Sequence, residues 1–175
     1  MGEPSPAGVD ERSAFLAFYD EALPRVYAYL SARCGERALA EDLTAETFLA
    51  AVDAFRRADP PPMTVPWIIG VARHKLVDHW RRQARDDRRL HLLTQPATEA
   101  PEPWDVRLDT MEVRRTLERL GAHHRAALML RYLDDLSVPE VANLLDRTVT
   151  ATEALLVRAR TAFRRAYAGE EAPDV

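Results

Sequence analysis

The sequence has one cysteine, Cys34, in 175 residues, so it can close no internal disulfide and build no cysteine-based zinc site. A lone thiol can still answer oxidants; the plainer reading is a small, half-buried helix residue. Glycine is scarce too, at six, and no glycine-rich phosphate loop, nucleophile elbow or HExxH is present. Catalysis and a bound cofactor are therefore not expected. No apolar run approaches the roughly 18 residues of a membrane span. "MGEPSPAGVDERSAF" lacks the basic-then-apolar order of a secretory signal. The expected location is cytoplasmic, without membrane insertion. Alternating apolar and polar runs are missing as well, which removes strands and leaves an all-α class.

What is present is a core-forming composition, 47% hydrophobic and 30% charged, which excludes disorder. The net charge of −4 argues against a surface coated for non-specific nucleic-acid binding, yet it averages over strong segregation. From Glu36 to Asp53 five acids (Glu36, Glu41, Asp42, Glu46, Asp53) face one base, Arg37. From Arg73 to His91 seven bases (Arg73, Lys75, Arg81, Arg82, Arg85, Arg88, Arg89) face three acids. A basic stripe is the footprint of a polyanion site, and an acidic face suits a basic protein partner.

Helical periodicity organises nearly the whole chain. A first helix is expected from about Asp10 to Arg33, with Pro24 kinking or dividing it. A second, about Arg37 to Arg57, turns Leu39, Leu43, Phe48, Val52 and Phe55 inward and stops before "DPPPMTVP", whose prolines remove donors and disfavour helix ahead of each ring. The third contains "WIIGVARHKLVDHWRR". At about 100° per residue, Ile68, Ile69, Ala72, Leu76 and Trp80 share an apolar face, while Trp67, His74 and Arg81 recur at heptad spacing opposite it. "LLTQPATEAPEPWDVRLD", with its prolines and acids, reads as a linker over 92–109. The chain is thus expected to form two small helical domains, 10–91 and 110–168. In the second, helices are expected over Met111–Leu120 and His123–Leu133, the pair His123–His124 being a solvated helix start. Ser137 and Glu140 then form a capping box for a short helix. A last helix reaches about Tyr167, so that the final pair forms a helix-turn-helix.

An exposed tryptophan on a basic helix offers a π-face to unpaired bases while Arg and Lys neutralise phosphates; the competing reading is a solvated or protein-binding helix. His74 and Asp78, one turn apart, could share a metal but lack a third ligand, so a simple surface contact is the better account.

The order "AEDLTAETFLAA", then "WIIGVARHKLVDHWRR", then a proline-rich acidic linker, then "RAALMLRYLDDLSVPEVANLL" resembles the sigma-70 family of RNA polymerase specificity subunits, extracytoplasmic-function group, over about residues 12–167. The resemblance implies a promoter-specific initiation factor. Its first domain would bind core RNA polymerase through the clamp helices of the beta-prime subunit, at Glu41, Asp42 and Glu46, and would read and melt the minus-ten element of promoter DNA with Trp67, Arg73, His74, Lys75, Arg81 and Arg82. Its second domain would read the minus-thirty-five element with Arg147, Thr152, Glu153, Arg158 and Arg160. An anti-sigma factor partner is also implied. The competing classes are a stand-alone helix-turn-helix regulator, which would bind duplex DNA without polymerase, and a helical adaptor that binds protein alone.

Several positions depart from the family pattern. Ala45 stands where many members carry Gln, and His74 where Asn is frequent. In "DRTVTATEALLVRAR", Asp146 occupies a usual glycine, Glu153 a usual lysine and Leu155 a usual arginine. Two roles compete for Glu153. "TATE", Thr150 to Glu153, matches a capping box in which Glu153 would accept the N-cap amide; alternatively, its carboxylate would accept a hydrogen bond from a cytosine amino group.

Overall fold

The computed structural model describes residues 6–90 and 110–169, with side chains described for 12–86 and 111–169. Among these residues every regular element is helical. The linker read over 92–109 lies outside them. The described chain divides into two compact units between Leu76 and Val77, inside a helix.

In the first unit, α1 (Pro6–Cys34) runs undivided through Pro24, contrary to a division there. Pro24 is exposed, so the carbonyl left without its amide partner faces water, which can satisfy it. Gly35, at φ 73, reverses the chain in a left-handed conformation that costs glycine little. Cys34, just ahead of it, is buried rather than half-exposed. The next helix, α2 (Arg37–Phe55), packs on α1 through Phe15 against Phe55 at 5.1 Å and Tyr19 edge-on to Phe48 at 4.7 Å.

The third helix, α3 (Val65–Leu90), starts after Thr64, whose carbonyl accepts from the Ile68 amide at 3.1 Å. Ile68, Ala72, Leu76 and Trp80 are buried as the periodicity requires, and Val77 joins them. Ile69 is only half-buried. The innermost positions of this unit include Ala22, Ala40, Thr47, Ala51 and Ala72, all with no exposed surface. Small side chains let helices approach closely. Thr44 and Thr47 remain tolerable in the core because their hydroxyls donate to the carbonyls of Ala40 (2.7 Å) and Leu43 (2.6 Å). Each fully buried Val, Leu or Ile contributes about 1.5–3 kcal/mol.

The second unit includes α4 (Thr110–Arg119), α5 (Ala122–Leu128), α6 (Val138–Leu145) and α7 (Val149–Tyr167). The helix expected over His123–Leu133 is α5 followed by a wider, π-helical turn at Met129–Leu133. It ends where Leu136 N–H reaches back to the Leu130 carbonyl at 3.2 Å and Asp135 takes φ 52, the left-handed position of a Schellman-like stop. His123 and His124 are half-buried with rings 4.3 Å apart, so they are not a solvated start. Glu140 accepts from both the amide (2.7 Å) and the hydroxyl (2.6 Å) of Ser137 and anchors the start of α6 as its capping box requires. α7 packs against α4, α5 and α6 through Leu155, Leu156, Ala159 and Phe163.

The turn between α6 and α7 places Asp146 in a left-handed conformation that glycine would also adopt. Asp146 lies at φ 55 and ψ 52, a region that Asp tolerates better than most residues. The amide of Arg147 closes the turn on the Ala142 carbonyl at 2.9 Å.

Candidate polymerase and nucleic-acid surfaces

The buried side of α2 holds Ala40, Leu43, Thr44, Thr47, Phe48, Ala51 and Ala54. At 100° per residue, the direction opposite that side carries Asp42, Ala45, Glu46, Leu49 and Asp53, all exposed. Glu41 lies to one flank, where it takes a 2.7 Å hydrogen bond from Arg37 Nε. That bond, with the Glu41 charge itself, raises the Arg37 pKa above its ordinary value. Leu49, 65% exposed, was not singled out by the sequence reading. It sits seven residues from Asp42 and four from Asp53, and this spacing could have found it. An exposed leucine rimmed by carboxylates could seat an apolar contact inside a polar edge.

The stripe on α3 is less uniform than its spacing implies. His74 is exposed; Trp67, Arg73 and Lys75 are half-buried. Trp67 borders an open cavity of about 600 Å³ together with Val71, Ala50, Ala54, Arg57 and Asp59 and the prolines 60–62. The loop of prolines therefore forms one wall beside an aromatic face. Lys75 Nζ lies 3.8 Å from Glu46 Oε2, so one residue of the acidic face meets one of the basic face. The spacing of either helix alone could not show this. Further along α3, Arg81 is half-buried, with a guanidinium nitrogen 3.9 Å from Asp78 Oδ1, and Arg82 is exposed. Arg85, also exposed, extends the heptad stripe by a turn and belongs with the candidates. The side chains of Arg88 and Arg89 lie outside the described set.

On the helix-turn-helix, two sequence expectations need correction. The N-cap of α7 is Thr148, whose hydroxyl accepts from the Ala151 amide at 3.1 Å. The third helical position is therefore Ala151, and "TATE" forms no capping box; Glu153 lies two residues too far along. Thr152 is fully buried, and its hydroxyl donates to the Thr148 carbonyl at 3.0 Å, so it cannot reach a DNA groove. Arg147 and Arg158 are half-buried and near enough to His124 to disfavour its protonation. Arg160 donates to the Tyr132 hydroxyl at 3.2 Å. Glu153 and Ala154 are exposed beyond Val149 and Thr150.

Among the described residues no group of three or more His, Cys, Asp or Glu could hold a metal ion, and no helix is long and apolar enough to cross a membrane.

The fold and these surfaces define a helical protein with an exposed acidic face, an aromatic and basic helix and a helix-turn-helix. Residues 18–86 match Sigma-70 region 2, and residues 110–163 match Sigma-70, region 4. The chain is 31% identical to the ECF RNA polymerase sigma factor BldN of Streptomyces coelicolor over 87% of its own length, and spans 60% of that protein's. It is 30% identical to the RNA polymerase sigma factor CarQ of Myxococcus xanthus, covering 76% of this chain and 77% of that one. With the ECF RNA polymerase sigma factor SigM of Bacillus subtilis it shares 27% identity, covering 85% and 92%. The sigma factor RpoE of Bartonella quintana, solved in complex with the anti-sigma factor NepR, has a similar fold: TM-score 0.51, 18% identity, coverage 91% of this chain and 99% of that one. The chain belongs to the sigma-70 family, in its extracytoplasmic-function group. It is a promoter-directing factor for transcription initiation with RNA polymerase, and the stand-alone regulator is not favoured. Sigma factors are initiation factors rather than catalysts.

Proposed function

We propose that this chain binds core polymerase through the exposed stripe of α2, with Asp42, Glu46 and Glu41 meeting basic groups on the beta-prime clamp helices and Leu49 as the apolar anchor. The observation that carries this reading is the position of Leu49, Asp42 and Glu46 opposite the buried face of the helix, with Glu41 on its flank. In this reading residues 10–91 form the polymerase-binding and minus-ten domain and residues 110–168 the minus-thirty-five domain. Trp67 and its neighbouring cavity receive unpaired bases of the minus-ten element, while Arg73, His74, Lys75, Arg81 and Arg82 face the strand. Stacking and phosphate contacts then offset the base pairing lost on opening. Arg147, Arg158 and Arg160 hold minus-thirty-five phosphates, which position without specifying.

The chain itself carries out no chemistry; polymerase forms the bonds, in the cytoplasm. The relative solved with NepR supports a further proposal, that an anti-sigma factor covers the same two domains when transcription is off. The deciding experiment is in vitro transcription with core polymerase on pooled genomic DNA and mapping of the start sites. Starts sharing two spaced elements are expected. Starts indistinguishable from those of core alone would remove the assignment.

A further inference from the structure

Glu153 is an acid at the exposed beginning of a helix that, in the reading above, meets a polyanion. Arg147, Arg158 and Arg160, on and beside that helix, would hold phosphates, and a carboxylate among them weakens the attraction over distances of about 8–10 Å. A structural role would account for such a residue. The structure removes the one that the local sequence offers: Thr148 caps α7 and Ala151 occupies the third position. Nor does the Glu153 side chain join any ion pair or hydrogen bond among the described residues. The buried face of α7 is Thr152, Leu155, Leu156, Ala159 and Phe163, and Glu153 stands with Thr150 and Ala154 on the uncovered side.

We infer that Glu153 is a specificity-determining residue that accepts a hydrogen bond from the N4 amino group of a cytosine in the upstream promoter element. In the major groove a carboxylate finds donors only on cytosine N4 and adenine N6. Adenine sets the N7 acceptor beside its amino group, and a carboxylate is repelled there, whereas an amide side chain satisfies both atoms. Cytosine has no acceptor of its own next to N4 on that edge, so the carboxylate selects it. Arg147 and Arg158 then supply affinity that carries no sequence, and Glu153 supplies a choice that a lysine at this position could not make.

The inference rests on α7 reading the upstream element. The test uses the full chain with core polymerase on promoters whose upstream element is randomised, comparing wild type, Glu153→Gln and Glu153→Ala. Wild type is expected to favour cytosine at one upstream position by about tenfold. Glu153→Gln should move that preference to adenine, and Glu153→Ala should flatten it, with the other positions unchanged. Wild-type selection retained at every position by both variants overturns the inference and leaves the proposed function standing. A wild-type chain that initiates but selects no upstream sequence overturns this inference and the upstream-reading role together. Thermal unfolding of the three proteins accompanies the assay; because the side chain is exposed, the midpoints should agree within a few degrees.

Discussion

Burial first, and then the neighbouring His123, Arg158 and Arg147, push the His124 pKa down to about 4 from its ordinary 6.5. A half-buried imidazole near two guanidiniums resists a further positive charge. The consequence for stability follows from proton linkage. Above about pH 6.5 both folded and unfolded chains carry a neutral His124. As pH falls towards 4 the unfolded chain takes the proton first, and stability is lost. Between pH 7 and pH 5 the full effect would be about 2 kcal/mol; screening at a half-buried site reduces it to the order of 1 kcal/mol. Denaturant unfolding of wild type and His124→Gln at both pH values checks this. The variant should lose less stability than wild type on acidification, and equal losses would contradict the burial argument. The sequence shows two adjacent histidines at a helix start. It does not show that α7 brings Arg158, and the α6–α7 turn brings Arg147, close to one of them.

The two surfaces on α2 and α3 are legible at the level of the element, because helical spacing assigns faces without knowledge of the partner helix. Asp42 and Glu46 emerge on the exposed side as that spacing requires. Reversing both to Lys is expected to lower affinity for core polymerase more than tenfold with helicity by circular dichroism unchanged; undiminished capture of core by the variant would withdraw the docking face. Glu46 also lies 3.8 Å from Lys75, so the reversal sets two cations against each other. Such a pair at the surface, 3.8 Å apart with Glu46 exposed and Lys75 half-buried, is worth about 1 kcal/mol, too little to unfold the unit. The α7 cap shows the limit of local reading. Both "TVTA" and "TATE" begin with Thr, and only the fold, by burying Thr152 and Leu155, decides that Thr148 lies at the boundary. Thr148→Ala should therefore cost about 1 kcal/mol, read from the urea midpoint, while Thr150→Ala should cost little.

At the scale of the whole molecule, Trp67→Ala should impair initiation on duplex promoter more than on a template with a pre-melted bubble, because stacking offsets the work of opening and a melted template has already done it. Equal loss on both templates would mean that Trp67 only packs against the proline loop. The sequence by itself determined the all-α class, the inward faces of α2 and α3, the capping box at Ser137 and the separation of acidic from basic helix, since each depends on spacing within one element. The family motifs were legible for the same reason: they are runs of neighbours in the chain. Tertiary structure alone decided that alanines and Thr47, not only large apolar residues, are fully buried in the first unit. It also decided that Glu46 meets Lys75, that Trp67 borders a cavity, that Thr152 is buried and that Glu153 is left without a cap to make. Helical spacing specifies the direction of a side chain around its own axis. What that side chain meets depends on how the helices cross and in which register, which is settled by packing between residues far apart in the sequence.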